Sequence, residues 1–221
     1  MELSPVMKTT FAARDFTDEP VDDAMLFRIL DVARFAPSGG NRQPWKVVVV
    51  KDVEKRRELA RLGVPAFRSY LAQQIAGENP WNTIVPTKLS PEALANGPDP
   101  SGYLNSIVSA PALLLVFADL RVIAAFDSGL DRVGMISGAS IYPFVWNILL
   151  AARNEGLGGT LTTFVSGAEA EVQALFGMPD YMAAAALLPI GRPVKQLTKL
   201  TRHPVEAIAT IDGADGPALT G

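Results

Sequence analysis

Cysteine is absent from this chain of 221 residues, and histidine occurs once, at His203. Without a thiol there is no disulfide framework, no thiolate nucleophile and no Cys-held zinc or iron–sulfur cluster. A single imidazole excludes the HExxH arrangement and any multi-histidine metal centre, so no metal site is expected. An excess of one charge is also missing. Lys and Arg number 20 against 23 Asp and Glu, a net charge of −3, which argues against a nucleic-acid partner. Residues 1–15 lack an apolar core of signal-peptide length, so the expected location is cytoplasmic. The one long uncharged run, residues 135–152, contains Ser137, Gly138, Ser140, Pro143 and Asn147. That polarity is wrong for a bilayer span. Ile141, Val145, Ile148, Leu149 and Ala152 instead share one helical face. The run reads as a helix buried on most sides, in the core or against another subunit, with Pro143 kinking it or delaying its start.

What the chain has is apolar residues, at 48%, with a mean hydropathy of +0.19. This suffices for one domain over residues 1–221 with a sizeable core, and the excess suits burial in an oligomer interface. Asp22 or Asp23 is placed to cap a helix running to Ala36. Residues 45–51 and 112–118 read as buried strands, with a third at 184–190. Asp52 opens a short polar helix through Leu62, and Glu169 opens another to Phe176. Gly156 stops the apolar helix. Residues 63–106 hold six prolines and read as an irregular, lid-type insertion, with helix only near 67–76. Residues 191–221 carry no strong pattern and form a C-terminal extension. Alternating helices and strands make the class α/β or α+β.

Five stretches carry chemistry. In Ala36-Pro37-Ser38-Gly39-Gly40-Asn41-Arg42-Gln43-Pro44-Trp45, two rigid prolines bracket glycines that admit a ligand to the backbone. Ser38, Asn41 and Gln43 supply donors and acceptors for the rim of a flat heterocycle. An ordinary helix-to-strand turn fits the same residues. Arg14, ahead of the first periodic helix, suits a phosphate or a carbonyl edge, or is a solvated charge. Residues 156–164 are glycine-rich, yet Leu161 breaks GxGxxG and no GK[ST] follows, so a dinucleotide fold and a P-loop are unsupported. Residues 181–205 hold Arg192, Lys195, Lys199 and Arg202 and no acid, an anion site or a solvated tail. Within 63–106, Phe67, Tyr70, Trp81 and Tyr103 either roof a substrate or pack the segment to the body.

The stretch from Ala36 to Trp45 resembles the APSggNxQPW signature of the nitroreductase family of FMN-dependent oxidoreductases. Residues 11–16, 139–163, 188–193 and 202–206 resemble further family elements in the same order. The family's Arg-x-Ser-x-Arg reads Thr10, Ala12 and Arg14 here, one cation and one hydroxyl fewer. The resemblance implies an α+β fold, an α/β sandwich with a mixed sheet flanked by helices. It also implies a C-terminal extension exchanged between subunits and a homodimer with FMN at the interface. Pro37, Ser38, Gly39, Gly40, Asn41 and Gln43 would lie against the flavin, in many members from the partner subunit. The backbone of Leu161, Thr162 and Thr163 would approach N5 and O4, with Thr10 and Arg14 nearby and Lys199 and Arg202 on the phosphate. Trp81 and Tyr103 are the candidate substrate contacts. No side chain is expected as catalyst, since the flavin carries the hydride. The implied activity is ping-pong transfer from NADH or NADPH through flavin N5 to nitroaromatics, quinones or activated enones. Relatives with other flavin chemistry (dehalogenation, desaturation or flavin destruction) remain open, as do a non-enzymatic flavin binder and a domain with no flavin.

Overall fold

In the computed structural model, which describes residues 2–221, four strands form one sheet in the order β1-β2-β4-β3, between two layers of helices. The strands are β1 (Trp45–Val49), β2 (Ala112–Asp119), β3 (Gly158–Gly159) and β4 (Met182–Gly191). All three pairings are antiparallel. The parallel component of the expected mixed sheet is confined to a bridge between Ala12 and Gly159.

Strand β2 is buried along its first seven residues, as its uninterrupted apolar run requires. Alternation sends Leu114 and Val116 to one face, against α2 (Asp23–Ala33) and α6 (Tyr142–Asn154). Leu113, Leu115 and Phe117 go to the other face, against α3 (Val53–Ile75), α5 (Ser101–Ser109) and α7 (Glu169–Phe176). Val116 pairs with Ala186 and Phe117 with Ala184, so Ala185 is an extra residue in β4. That bulge explains how Ala184 and Leu187 come to share one face.

Three helices escape the sequence pattern. One is α1 (Leu3–Thr9), which has a single buried residue, Val6, and rests on α6. The others are α4 (Pro91–Ala95), opened by Ser90 and Pro91, and α5, which buries Leu104 and Ile107. Helix α2 is capped by Asp22, whose carboxylate accepts the Met25 N–H at 2.7 Å, but it ends at Ala33 rather than Ala36. Helix α6 starts late, at Tyr142, with Pro143 in its first turn.

The main correction concerns α3. Rather than stopping at Leu62, it runs 23 residues from its Asp52 cap through Gly63 and Pro65 to Ile75. The irregular chain is therefore narrower than 63–106 and is broken by α4 and α5. An interior proline forfeits a helix hydrogen bond. Tertiary packing overrides that cost, because Val64, Ala66 and Phe67 pack against the core on that side of the sheet. Gly63 permits a close approach: a Cβ there would stand 2.4 Å from the Phe164 ring.

No helix is long and apolar enough to cross a membrane among the described residues. Gly63→Ala is expected to push Phe164 aside and to lower stability by about 1–3 kcal/mol. The midpoint of urea unfolding measures this, and an unshifted midpoint would show that the ring moves freely.

Candidate active-site cleft

One edge of the sheet carries a cleft, and five pieces of chain build it. Thr162 pairs with Leu187 through both its N–H and its C=O, at 3.0 and 2.8 Å. Alternation along that ladder turns the N–H groups of Leu161 and Thr163 away from β4. Neither finds an acceptor among the described residues. Residues 12–17 run along the same edge: the Ala13 N–H donates to Gly159 O at 3.0 Å and the Val194 N–H to Asp15 O at 3.1 Å. This brings Arg14 to the cleft with only a 3.3 Å contact to Ala12 O and no ion pair. Helix α3 supplies Phe67, Tyr70, Leu71 and Gln74, and α5 supplies Tyr103. Trp81 closes the outer side. The space is about 480 Å³, and Arg14 is the one charged side chain lining it.

The aromatic wall is continuous. The Phe67 ring lies 4.7 Å from Tyr103 and 5.1 Å from Phe164, and Tyr70 lies 5.7 Å from Trp81. The Tyr70 hydroxyl accepts from Gln74 Nε2 at 3.1 Å. Spacing of i, i+3, i+4 and i+7 puts Phe67, Tyr70, Leu71 and Gln74 on one helical face. The helix expected near 67–76 carries this face, but Leu71 and Gln74 were not singled out on it.

The loop of residues 37–43 lies elsewhere. It precedes β1, at the opposite edge of the sheet from Leu161 and Thr163. Three strand intervals separate those edges, roughly 14 Å. The loop is exposed apart from Ser38, which is half-buried, and it is tightly constrained. Gly40, Asn41 and Gln43 all have positive φ, at 60°, 53° and 49°. The Ser38 hydroxyl accepts the Gln43 N–H at 2.9 Å, and the Ser140 hydroxyl accepts the Gly39 N–H at 3.0 Å. Gln43 Nε2 donates to Asn41 O and Oδ1, each at 3.2 Å. Ser140, just ahead of α6, is a contributor that a local reading of the motif missed.

Thr10 is buried, and its hydroxyl donates to Val6 O at 2.8 Å, closing α1. Among the basic residues of 181–205, Arg192 is paired with Glu19. Lys199 and Arg202 are exposed on the extension, where Arg202 donates to Thr201 O at 2.7 Å. A single chain thus gathers Arg14, Leu161, Thr162, Thr163, Trp81 and Tyr103, and leaves residues 37–43, Lys199 and Arg202 outside.

Residues 8–192 match the Nitroreductase family. The chain is 27% identical over 215 residues to iodotyrosine deiodinase of Nematostella vectensis, covering 95% of this chain and 75% of the relative. It is 27% identical over 206 residues to FMN reductase [NAD(P)H] of Bacillus subtilis, covering 88% and 67%. The crystal structure of oxidized iodotyrosine deiodinase bound to FMN and 3-iodo-L-tyrosine superposes with a TM-score of 0.63 at 25% identity, over 92% of this chain and 96% of that one.

The segment that carries Trp81 has a titratable fastening. Glu78 accepts from the Thr87 hydroxyl at 2.6 Å and the Lys88 N–H at 2.8 Å. These two bonds, the hydroxyl first, hold its carboxyl below the ordinary value of 4.5. A lowered folded value means the fastening acts in full above the ordinary value and is lost as pH falls through the folded one. The protection factor of the Lys88 amide is therefore expected to drop as the protein is acidified from roughly pH 5 to roughly pH 3. A flat protection factor across that window would contradict the role given to Glu78.

Proposed function

The chain belongs to the nitroreductase family, and from that premise we propose that it is an FMN-dependent oxidoreductase that works as a homodimer. The observation that carries this reading is the cleft edge itself. Two outward N–H groups, at Leu161 and Thr163, and the unpaired guanidinium of Arg14 face a space lined by no carboxylate. Such donors fit the polar rim of a flavin and favour negative charge on it. Bound FMN supplies the two-electron chemistry, accepting a hydride and passing it to an acceptor. The protein's part is to hold the ring by its rim, keep Arg14 near the charge, and present Phe67, Tyr70, Trp81 and Tyr103 to the acceptor.

A second copy supplies what one chain lacks. The loop of residues 37–43 stands at the wrong edge to meet Arg14 within its own chain, and its preset backbone suits a flat partner. The surface around it is unusually apolar for a monomer. Phe27 and Val32 on α2, Phe35 just after it, and Tyr142 and Trp146 on α6 are all exposed. The extension exposes Val205, Ile208, Ile211 and Leu219. Beyond Gln196, whose side chain donates to Thr9 O at 3.0 Å, its hydrogen bonds are local. Exchange of the extension beyond Gln196 between subunits would bury those side chains and carry Lys199 and Arg202 to the FMN phosphate, where a guanidinium binds as a fork.

The relative that is an FMN reductase [NAD(P)H] supports NADH or NADPH as reductant, and a cytoplasmic location would supply either. Nitroaromatics, quinones and activated enones are the proposed acceptors. Reductive dehalogenation is the second reading, favoured by the likeness to iodotyrosine deiodinases and by an aromatic cleft that suits a halogenated phenol.

Purified protein, supplemented with FMN and desalted, is expected to retain the flavin absorbance bands and to lose them on anaerobic addition of NADH or NADPH. Retained bands that dithionite bleaches but neither nucleotide does would point to the dehalogenase-type reading or to a flavin binder. Turnover of 3-iodo-L-tyrosine with dithionite separates those two. No retained flavin would remove the proposal. Arg202→Ala is expected to weaken FMN binding by more than about tenfold, read by flavin fluorescence, and an unchanged dissociation constant would remove Arg202 from the site.

A further inference from the structure

We propose that the Tyr70 hydroxyl donates a hydrogen bond to the acceptor, so that the site selects molecules carrying a carbonyl- or nitro-type oxygen. The inference rests on the reading of the cleft as the acceptor side of a flavin site. It starts from how the cleft's polar groups are occupied. Tyr70, half-buried, and Gln74, one turn later on the same face of α3, both line the space. Gln74 Nε2 donates to the Tyr70 oxygen at 3.1 Å. A phenol has one hydrogen to give and lone pairs with which to receive. The contact with Gln74 occupies a lone pair, and the phenol's own hydrogen meets no acceptor among the described residues. The ring is placed by packing as well, edge-on to Phe67 at 6.3 Å and tilted against Trp81 at 5.7 Å.

The cleft's other donors stand on a different wall. Arg14, Leu161 and Thr163 belong to the sheet edge assigned to the flavin rim, whereas Tyr70 belongs to α3. Flavin bound at that edge takes up the first set and leaves Tyr70 to the acceptor. No carboxylate lines the space to capture its hydrogen. Tyr103 is not an equivalent donor. Its hydroxyl has no partner among the described residues, so it gives or receives alike, while Gln74 commits Tyr70 to giving. An oxygen that gains negative charge as the acceptor takes up electrons then meets a donor already in place. An aromatic ring without such an oxygen gains nothing from Tyr70.

The test uses acetophenone labelled with carbon-13 at its carbonyl, titrated without reductant into the FMN-supplemented, desalted protein. The carbonyl resonance moves downfield when its oxygen accepts a hydrogen bond, so one titration reads both the dissociation constant and the bond. Wild type is expected to hold the resonance downfield of its position in an apolar solvent. Tyr70→Phe keeps the ring and is expected to return the resonance towards that position, with binding weakened about threefold to tenfold. Gln74→Glu offers an acceptor where Gln74 gave a hydrogen. Its carboxylate captures the Tyr70 hydrogen, and the resonance is expected to move as in Tyr70→Phe although the phenol remains. Gln74→Leu removes the commitment but not the donor and is expected to keep part of the downfield shift. A packing role for Tyr70 predicts no movement in Tyr70→Phe. That result, or a wild type that binds no acetophenone or holds it at the apolar-solvent position, would overturn the proposal. A resonance unmoved in both Gln74 variants would overturn the role of Gln74. Flavin absorbance of the same samples reports the parent reading separately. Retained flavin with a resonance indifferent to residue 70 rejects the Tyr70 donor alone. Protein without flavin rejects the oxidoreductase, and the resonance then judges the Tyr70 donor by itself.

Discussion

Burial of β2 is the constraint on which the other features depend. Seven successive buried residues demand a paired strand on each side and a helical layer on each face. Once β1 and β4 occupy the two sides, the turn that precedes β1 and the segment that follows β3 are held at opposite edges of the sheet. The separation of the 37–43 loop from Arg14, Leu161 and Thr163 is therefore a property of the core. No side-chain rotation within one chain closes it, whereas the proposed second copy would do so without deforming the sheet.

Each half of the site is rigid for a different reason. The loop stores its shape in backbone, with three residues in the left-handed region and hydroxyls from Ser38 and Ser140 closing the turns. Trp45 extends that rigidity by stacking on Phe144, with centroids 4.5 Å apart and planes 6° apart, which ties the end of the loop to α6. The cleft edge stores its shape in a ladder, since the pairing of Thr162 with Leu187 aims the flanking N–H groups outward. Donors fixed before a ligand arrives need little reorganisation when charge develops.

Local signals were readable wherever the chain's own chemistry terminates an element. Glu169 and Gly177 bracket α7, with acid at the start and a left-handed glycine at the end, and sequence and structure agree on both ends. Asp22 caps α2 as its side chain suggests. The family signature, too, was readable as residues. Helix α3 was readable only as two pieces, 52–62 and 67–76, because Gly63 and Pro65 are helix breakers in isolation and become tolerable only against Phe164 and the rest of that core. Nor did the sequence reveal that Thr10 spends its hydroxyl on Val6, or that Ser140 holds Gly39, because these depend on where α1 ends and where the chain re-enters before α6.

The central claim is that one flavin site needs two chains, and mixed dimers test it most directly. Co-expression of an Arg14→Ala chain with a chain bearing Gly39→Trp and Gly40→Trp, each with its own tag, allows isolation of the hybrid by tandem purification. The account expects neither homodimer to retain FMN and the hybrid to retain one FMN per two chains, because one of its two sites combines both intact halves. A hybrid as empty as its parents, or full occupancy in a monomer, would contradict it.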